Sequence, residues 1–397
     1  MWKETEIGNL PNDWSVSELG EICTIITDGS HFSPKVEHSR FYMASVKDMR
    51  YNHFEFKDCK TISEKDFNSL VQGNCSPNKG DILISKDGAN CLDLIFVYTQ
   101  PEKIVLLSSI AIARLKEGFD PYFYMYYLLS PIAQYLMKNS FVSGTAIPRV
   151  VLKDFRKVSV PSMTYSEQCA ISFVLKSLDD KIDLLRRQNK TLDQLAETLF
   201  RQWFVEEAEE SWELRTIDDE FDFTMGQSPL GSSLNENQNG MIFYQGRTDF
   251  EFRFPTPRIY TTTPTRLAKK FDTLVSVRAP VGDMNMAIED CCLGRGVASF
   301  RYKHDNSFYT YTYYKMRSLM GQIRQFEDSG TVFGSIGKDD FKKLENIIPP
   351  KKLILEFQNK VKSMDDKIFS NTNQIHTLTR LRDTLLPKLM SGEIRVN

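Results

Sequence analysis

SEQCAISFVLKSLDDKIDLLRRQNKTLDQLAETLFRQWF, from Ser166 to Phe204, is the stretch that decides the architecture. Ile171, Leu175, Leu178, Ile182, Leu185, Asn189, Leu192, Ala196 and Leu199 alternate steps of four and three, with no Pro or Gly between them. That spacing gives one apolar seam along a single helix, the pattern of a coiled coil. Thr164 and Glu167 stand at capping-box spacing behind Pro161, where an extended segment is expected to end. At ~1.5 Å per residue the helix is on the order of 55 to 60 Å long, so its seam must be buried on something.

The partner lies in the same chain. Shifting the sequence by 186 positions lays Lys176-Ser-Leu-Asp-Asp-Lys-Ile182 on Lys362-Ser-Met-Asp-Asp-Lys-Ile368, identical at six of seven positions. The same shift pairs Thr191-Leu192 with Thr377-Leu378, Leu195 with Leu381, and Thr198-Leu199 with Thr384-Leu385. The seam recurs as Phe357, Val361, Met364, Ile368, Asn371, Ile375, Leu378, Arg382 and Leu385. Residues 166–211 hold 6 Lys and Arg against 10 Asp and Glu, net −4; residues 351–397 hold 9 against 5, net +4. Opposite charges favour the two helices pairing with each other over self-pairing. In an antiparallel pair centred near Arg187, Asn189 faces Asn371, and a buried Asn pair fixes register at some cost in stability. Leu178, Ile182, Asn189, Leu192, Met364, Ile368, Asn371 and Leu378 are therefore the candidates for helix pairing and partner docking.

The repeat is larger than the helix. Ser143-Gly-Thr145 returns as Ser329-Gly-Thr331 and Asp154-Phe-Arg-Lys157 as Asp340-Phe-Lys-Lys343. Trp14, Val16 and Leu19 are echoed by Trp212, Leu214 and Ile217; Asp81, Leu83 and Ser85 by Asp272, Leu274 and Ser276; and the aromatic run from Pro121 to Tyr127 by Phe308 to Tyr314. Gly80–Ser85 and Ile104–Leu107 read as strands and Pro121–Met137 as a helix. The expected order is a mixed α/β domain over 1–165, a helix over 166–205, a second mixed domain over 206–350 behind the acidic linker Glu206–Glu210, and a helix over 351–397. This is an α+β chain with a pseudo-twofold internal repeat and antiparallel helices, its frames matched and their fillings divergent.

Composition bounds the function. The chain has 397 residues, 41% hydrophobic and 26% charged, enough for two or three domains. No apolar run approaches a membrane span, and Glu4, Glu6 and Asp13 interrupt the start where a signal peptide would be apolar, so a cytoplasmic location without membrane contact is expected. Seven cysteines without a Cys-x-x-Cys pair suggest reduced thiols and no zinc ribbon. The net charge of −2 argues against a purely electrostatic nucleic-acid binder, so any positive face must arise by segregation of charge within each domain.

Catalytic signatures are missing. An amino-methyltransferase needs an Asn/Asp-Pro-Pro-aromatic turn, but the single Pro-Pro here is Pro349-Pro350, flanked by Ile348 and Lys351. Gly334-Ser-Ile-Gly-Lys338 lacks the first glycine of a phosphate loop, and Asp339 replaces its hydroxyl residue. The five histidines have no metal-ligand spacing, and no carboxylate pair is placed for acid/base work. No catalytic residue, metal ligand or cofactor site is assigned to the chain.

Turns and strand ends remain as sites where cations and hydroxyls meet DNA. Ser-Gly-Thr turns serve the backbone itself or bring amides and hydroxyls to phosphates, while Lys and Arg at strand ends reach guanine or a phosphate, or simply meet solvent. The DNA-contact candidates are His31, Lys35, Arg40, Lys86, Thr145 and Arg149 in the first domain, and Arg247, Arg266, Lys269, Lys270, Arg278, Thr331 and Lys338 in the second.

These features together resemble a known family. Two divergent domains, a central helix ending Leu195-Ala-Glu-Thr-Leu-Phe-Arg-Gln-Trp-Phe-Val205 and a last helix ending Leu385-Leu-Pro-Lys-Leu-Met-Ser-Gly-Glu-Ile394 resemble the specificity subunit of type I restriction-modification systems. Asp28-Gly-Ser-His-Phe-Ser-Pro-Lys35 is similar to a turn that opens target recognition domains in that family, and Arg278-Ala-Pro-Val-Gly282 to another recurring stretch. The resemblance implies that each domain reads half of a bipartite double-stranded DNA site. It further implies that the helices hold the halves apart and dock two methylation subunits, joined by restriction subunits. S-adenosylmethionine, ATP and Mg would then belong to those partners. A recognition subunit of a type II-like restriction enzyme and a non-DNA coiled-coil scaffold are the alternatives.

Overall fold

The unbroken 3-4 spacing produces one helix, Tyr165–Arg201, and its repeat a second, Lys351–Met390. In the computed structural model, residues 2–144, 148–328 and 334–396 are described. The chain divides into two compact units, Met1–Asp183 with His376–Asn397, and Leu184–Ile375. Each unit therefore combines one globular domain with a portion of both helices.

Within each unit the helix portions run antiparallel. In the first, Glu167 pairs with Arg395 and Asp179 with Arg382. In the second, Asn371 Nδ2 donates to Asn189 Oδ1 at 2.9 Å, and Phe200 packs on Phe357. The expected Asn pair is thus formed and buried. Ile171, Leu175, Ile182, Leu185, Ala196, Val361 and Ile368 are buried along the seam, while Leu178, Leu192, Met364 and Leu378 are half-buried at its edge. The expected capping box is only half made. Thr164 Oγ1 accepts from the Glu167 backbone N–H at 3.3 Å, but the Glu167 carboxylate turns to Arg395, because a guanidinium is the stronger donor.

Both domains are built on the same antiparallel four-stranded sheet. In the first unit β1 (Cys23–Asp28), β2 (Ile82–Ser85), β3 (Ile95–Val97) and β4 (Ile110–Leu115) take the order β1-β4-β2-β3. In the second, β5 (Phe221–Met225), β6 (Thr273–Ser276), β7 (Met284–Met286) and β8 (Val297–Tyr302) take the order β5-β8-β6-β7. One ion pair on a buried aspartate staples each sheet: Arg114 grips Asp81 with two nitrogens, and Arg301 grips Asp272 in the same way. A two-stranded ladder closes each frame, Ser15–Glu18 with Ser159–Ser162 and Glu213–Thr216 with Glu345–Ile348.

One detail departs from the sequence-based expectation. The helix expected over 121–137 is two helices, Pro121–Leu129 and Pro131–Ser140, because Ser130 caps the second and Pro131 has no N–H to continue the first. The last helix runs through Pro387 to Met390 and ends at Gly392, whose φ of +72° and position against Pro11 and Trp14 leave no room for a Cβ. All seven cysteines are free, five of them buried, and burial pushes the Cys23 and Cys59 thiols up to about 12. No helix among the described residues is long and apolar enough to cross a membrane.

Candidate nucleic-acid interface

β1 ends at Asp28 and β2 at Ser85, so the residues that follow both strands meet at one edge of the first sheet. Lys86 comes directly after β2 with its side chain almost wholly buried, its Nζ 3.4 Å from Asp28 and 3.2 Å from Asp87. His31 Nε2 lies 3.5 Å from the same Asp28, and Arg149 Nε lies 3.3 Å from Asp87. Three candidates, His31, Lys86 and Arg149, thus belong to one network held by two aspartates. Lys86 is its buried hub, which corrects the expectation of a cation at a solvent-facing strand end. Burying an ammonium requires paired carboxylates, and Asp28 and Asp87 supply them. Lys35 and Arg40 are exposed, Arg40 stacked 5.3 Å from the Phe41 ring centroid. Thr145 lies outside the described residues.

In the second unit the segment after β6 makes the corresponding backbone bridge. Val150 N–H donates to the Lys86 carbonyl at 3.0 Å, and Ile336 N–H to the Val277 carbonyl at 3.1 Å. Asp87 then bridges to Arg149, and Arg278 to Ser335. The register thus sets Val277 against Lys86 and Arg278 against Asp87. Arg278 is exposed. Arg247, also exposed, is paired with Asp283. Lys269 and Lys338 border a cavity of about 320 Å³ together with Lys342 and the Arg301–Asp272 pair. Lys269 also pairs with Asp290 at 2.7 Å, and Lys270 stands over the rings of Phe271 and Phe369. Arg266 is exposed, its carbonyl accepting from Leu293 N–H. Thr331 lies outside the described residues. The structure gathers Lys269 and Lys338 into one group, and Arg247, through Asp283, reaches the turn 276–283 that carries Arg278.

Several key residues were not nominated from the sequence. Arg253 is fully buried and links Asp193 (2.7 Å), Tyr314 (2.6 Å) and Asp365 (3.1 Å), with Arg317 completing the coordination of Asp193. Asp179 is its counterpart centre in the first unit, accepting from Tyr126 at 2.7 Å and from Arg382 at 2.8 Å. Asp179 and Asp365 both lie in the repeated heptapeptide. Their presence in both copies was the available signal, whereas nothing in the local sequence marks Arg253. Among the described residues no group of three or more His, Cys, Asp or Glu is placed to hold a metal ion.

The model of the type I restriction modification DNA specificity domain matches this chain twice, over residues 11–194 and 209–381. The chain belongs to that family. Its two family domains coincide with the repeated frames. A relative named as the MjaX type I restriction enzyme specificity subunit of Methanocaldococcus jannaschii is 25% identical, the match covering 100% of this chain and 97% of the relative. The HindI type I restriction enzyme specificity subunit of Haemophilus influenzae is 21% identical over 96% of this chain and its whole length. The crystal structure of a type I restriction-modification S subunit from M. genitalium has the same fold, with a TM-score of 0.61 at 16% identity, covering 98% of this chain and 99% of that one. Two mixed α/β target recognition domains with long antiparallel helix portions are thus the specificity-subunit fold.

Proposed function

We propose that each target recognition domain reads one half of a bipartite, gapped site in double-stranded DNA. The observation that carries this is the matched backbone bridge with unlike side chains, Asp87 to Arg149 in one unit and Arg278 to Ser335 in the other. A constant frame sets where a base edge would meet the protein; an acid in one unit and a cation in the other would select different donor and acceptor patterns. Lys35, Arg40, Arg266 and Lys338 supply exposed cations suited to phosphates, which position the domains without reading sequence.

The chain then directs two methylation subunits, and through them restriction subunits, to the site it reads. Thr191, Leu195 and Thr198 are exposed on the first helix, and the same three residue types recur, exposed, as Thr377, Leu381 and Thr384 on the second. Leu195 and Leu381 are 47% and 45% exposed, so core packing does not account for their identity. One partner binding twice does account for it. Adenine methylation with S-adenosylmethionine and ATP-dependent cleavage with Mg belong, in this reading, to those partners, and this chain is non-catalytic.

Mapping methylated adenines in the host genome with and without this gene tests the proposal. Loss of one gapped motif on deletion is the expected outcome and reveals both half-sites. Unchanged methylation, with no methyltransferase co-purifying, overturns it in favour of a scaffold that does not bind DNA.

A further inference from the structure

The two units differ where a loop, residues 45–55 in the first and 245–256 in the second, meets the long helices. Asp48 caps the turn at Ser45, Asp249 caps the one at Gln245, and seven residues later Glu55 and Thr256 each donate back to the capping residue's carbonyl at 2.9 Å. The register is therefore common to both loops. Four residues after the aspartate stands Arg253 in the second unit and Asn52 in the first.

Arg253 fills its place completely, its guanidinium 3.7 Å above the Tyr313 ring centroid and its side chain 1% exposed. Phe254, the next residue, joins Phe271 and Phe369 in a ring cluster, Phe369 lying 5.3 Å from Phe254 and 5.4 Å from Phe271. At the matching positions the first unit carries His53, Gly80 and Asp183. The walls, however, are kept: Tyr126 stands for Tyr313, Tyr122 for Tyr309, and Asp179 for Asp365. What remains is a cavity of about 150 Å³ lined by Tyr51, Asn52, Tyr122, Tyr126, Asp179 and Asp180.

Asp179 already has its cation, because Arg382 reaches it from the other helix. The charge that Arg253 balances in one unit is thus balanced by other means here, and only its volume is left empty. The carboxylates of the lining are each paired, Asp179 with Arg382 and Asp180 with Lys176, whose ammonium stands over Tyr122 rather than Tyr126. Tyrosine rings beside carboxylates suit a planar cation, which can stack on a ring and share an acceptor that already has one partner. At the lip, Tyr51 and the Asp180 side chain are 44% and 63% exposed, so the space is open to an incoming chain.

We propose that this cavity receives an arginine side chain of a partner polypeptide, seated over Tyr126 as Arg253 is seated over Tyr313. The occupant is set by the second unit, which shows what this frame holds when the place is filled from within.

The test uses the full chain with methyl-13C methionine and no DNA, so its outcome is independent of the DNA-reading proposal. Met125 lines the cavity and reports on it. N-acetyl-arginine amide is expected to shift the Met125 resonance saturably, with a Kd on the order of millimolar, as suits so small a ligand. N-acetyl-lysine amide should bind about tenfold more weakly, lacking the planar group. Asn52→Arg should abolish the shift by filling the space, and Asp180→Asn, a change at an exposed position, should weaken binding severalfold. The proposal fails if the arginine probe gives no shift, if N-acetyl-norleucine amide shifts Met125 equally, or if Asp180→Asn leaves the affinity unchanged. Binding of agmatine without binding of the capped arginine overturns the partner and assigns a small molecule instead.

Discussion

At the bridge beside the central sheet the two units use the same backbone hydrogen bonds and opposite charges. Asp87 occupies in the first unit the register that Arg278 occupies in the second, and Lys86, buried between two aspartates, is matched by the apolar Val277. The helix anchors differ in the same manner. Asp179 draws its cation from the opposing helix, while Asp365 draws Arg253 from the domain. What is held constant is backbone geometry and the carboxylate on the helix; what varies is the side chain that answers it. Such a division lets a duplicated frame diverge in what it reads without losing how it is held.

The sharpest break in this comparison is expected at the anchors. Arg253→Ala takes from Asp365 its cation in the interior of the second unit and leaves Asp193 with Arg317 and Tyr314, and removing one partner of a buried ionic cluster costs about 3–5 kcal/mol. Arg382→Ala leaves Asp179 with the hydroxyls of Tyr126 and Tyr51, at a site closer to solvent, and should cost about 1–2 kcal/mol. Hydrogen exchange followed separately on peptides from each unit measures both. Equal losses in the two units would show that the anchors are interchangeable after all.

The bridge itself comes next. Arg278→Ala is expected to weaken recognition of one half-site by about 1–3 kcal/mol and leave the other half-site preference intact, as for loss of a base contact. Binding to a library of gapped duplexes, scored one half at a time, reads this directly. A uniform loss across all sequences would make Arg278 a phosphate contact. Asp87→Asn should act on the opposite half-site, with an added stability cost because it removes a carboxylate from buried Lys86.

Much of this organisation is legible in the sequence, and the reason is periodicity. The seam, the repeat and the facing of Asn189 and Asn371 all follow from regular spacing, which helical geometry converts directly into position. The site is legible only in outline. His31, Lys86 and Arg149 could be nominated singly from turns and strand ends, but their shared aspartates come from residues far apart in the chain. Arg253 shows the limit most clearly: it lies in a loop where no period operates, and its burial depends on carboxylates more than 50 residues away on either side. The split of the aromatic helix at Ser130 was written in the Ser-Pro dipeptide, which the run of aromatic residues around it obscured.

A smaller effect separates the polar inserts of the two helix portions. The first unit carries the charged pair of Asp179 and Arg382, the second the amide pair of Asn189 and Asn371. Replacing both asparagines with Leu should raise the thermal stability of the second unit by about 1 kcal/mol, since one bond joins the pair, Asn371 Oδ1 stays buried without a donor, and apolar burial in the seam is forgone. Calorimetry that shows a fall instead would mean that the amides contribute more than their register.

The smallest expected difference is one of pH. The short helix Leu19–Ile22 ends in buried Ile22, whereas its counterpart Ile217–Glu220 ends in equally buried Glu220. Glu220 accepts from Tyr311 at 2.7 Å and Asn346 at 2.6 Å, but burial outweighs these bonds and nearby Lys315, and holds its carboxyl above the ordinary value of 4.5. The folded state then keeps the proton more tightly than the unfolded chain, so stability is lost as pH rises from the ordinary value through the folded one. Glu220→Gln retains an acceptor without the titration and should remove that decline from the second unit. The first unit, with Ile22 in the matching place, should be unaffected. Urea unfolding of both proteins across this range, monitored at Trp212, isolates the effect as the difference between the two curves. Parallel curves would show that the tyrosine and asparagine donors already hold Glu220 ionised, and that the frame tolerates a buried carboxylate here as readily as an isoleucine.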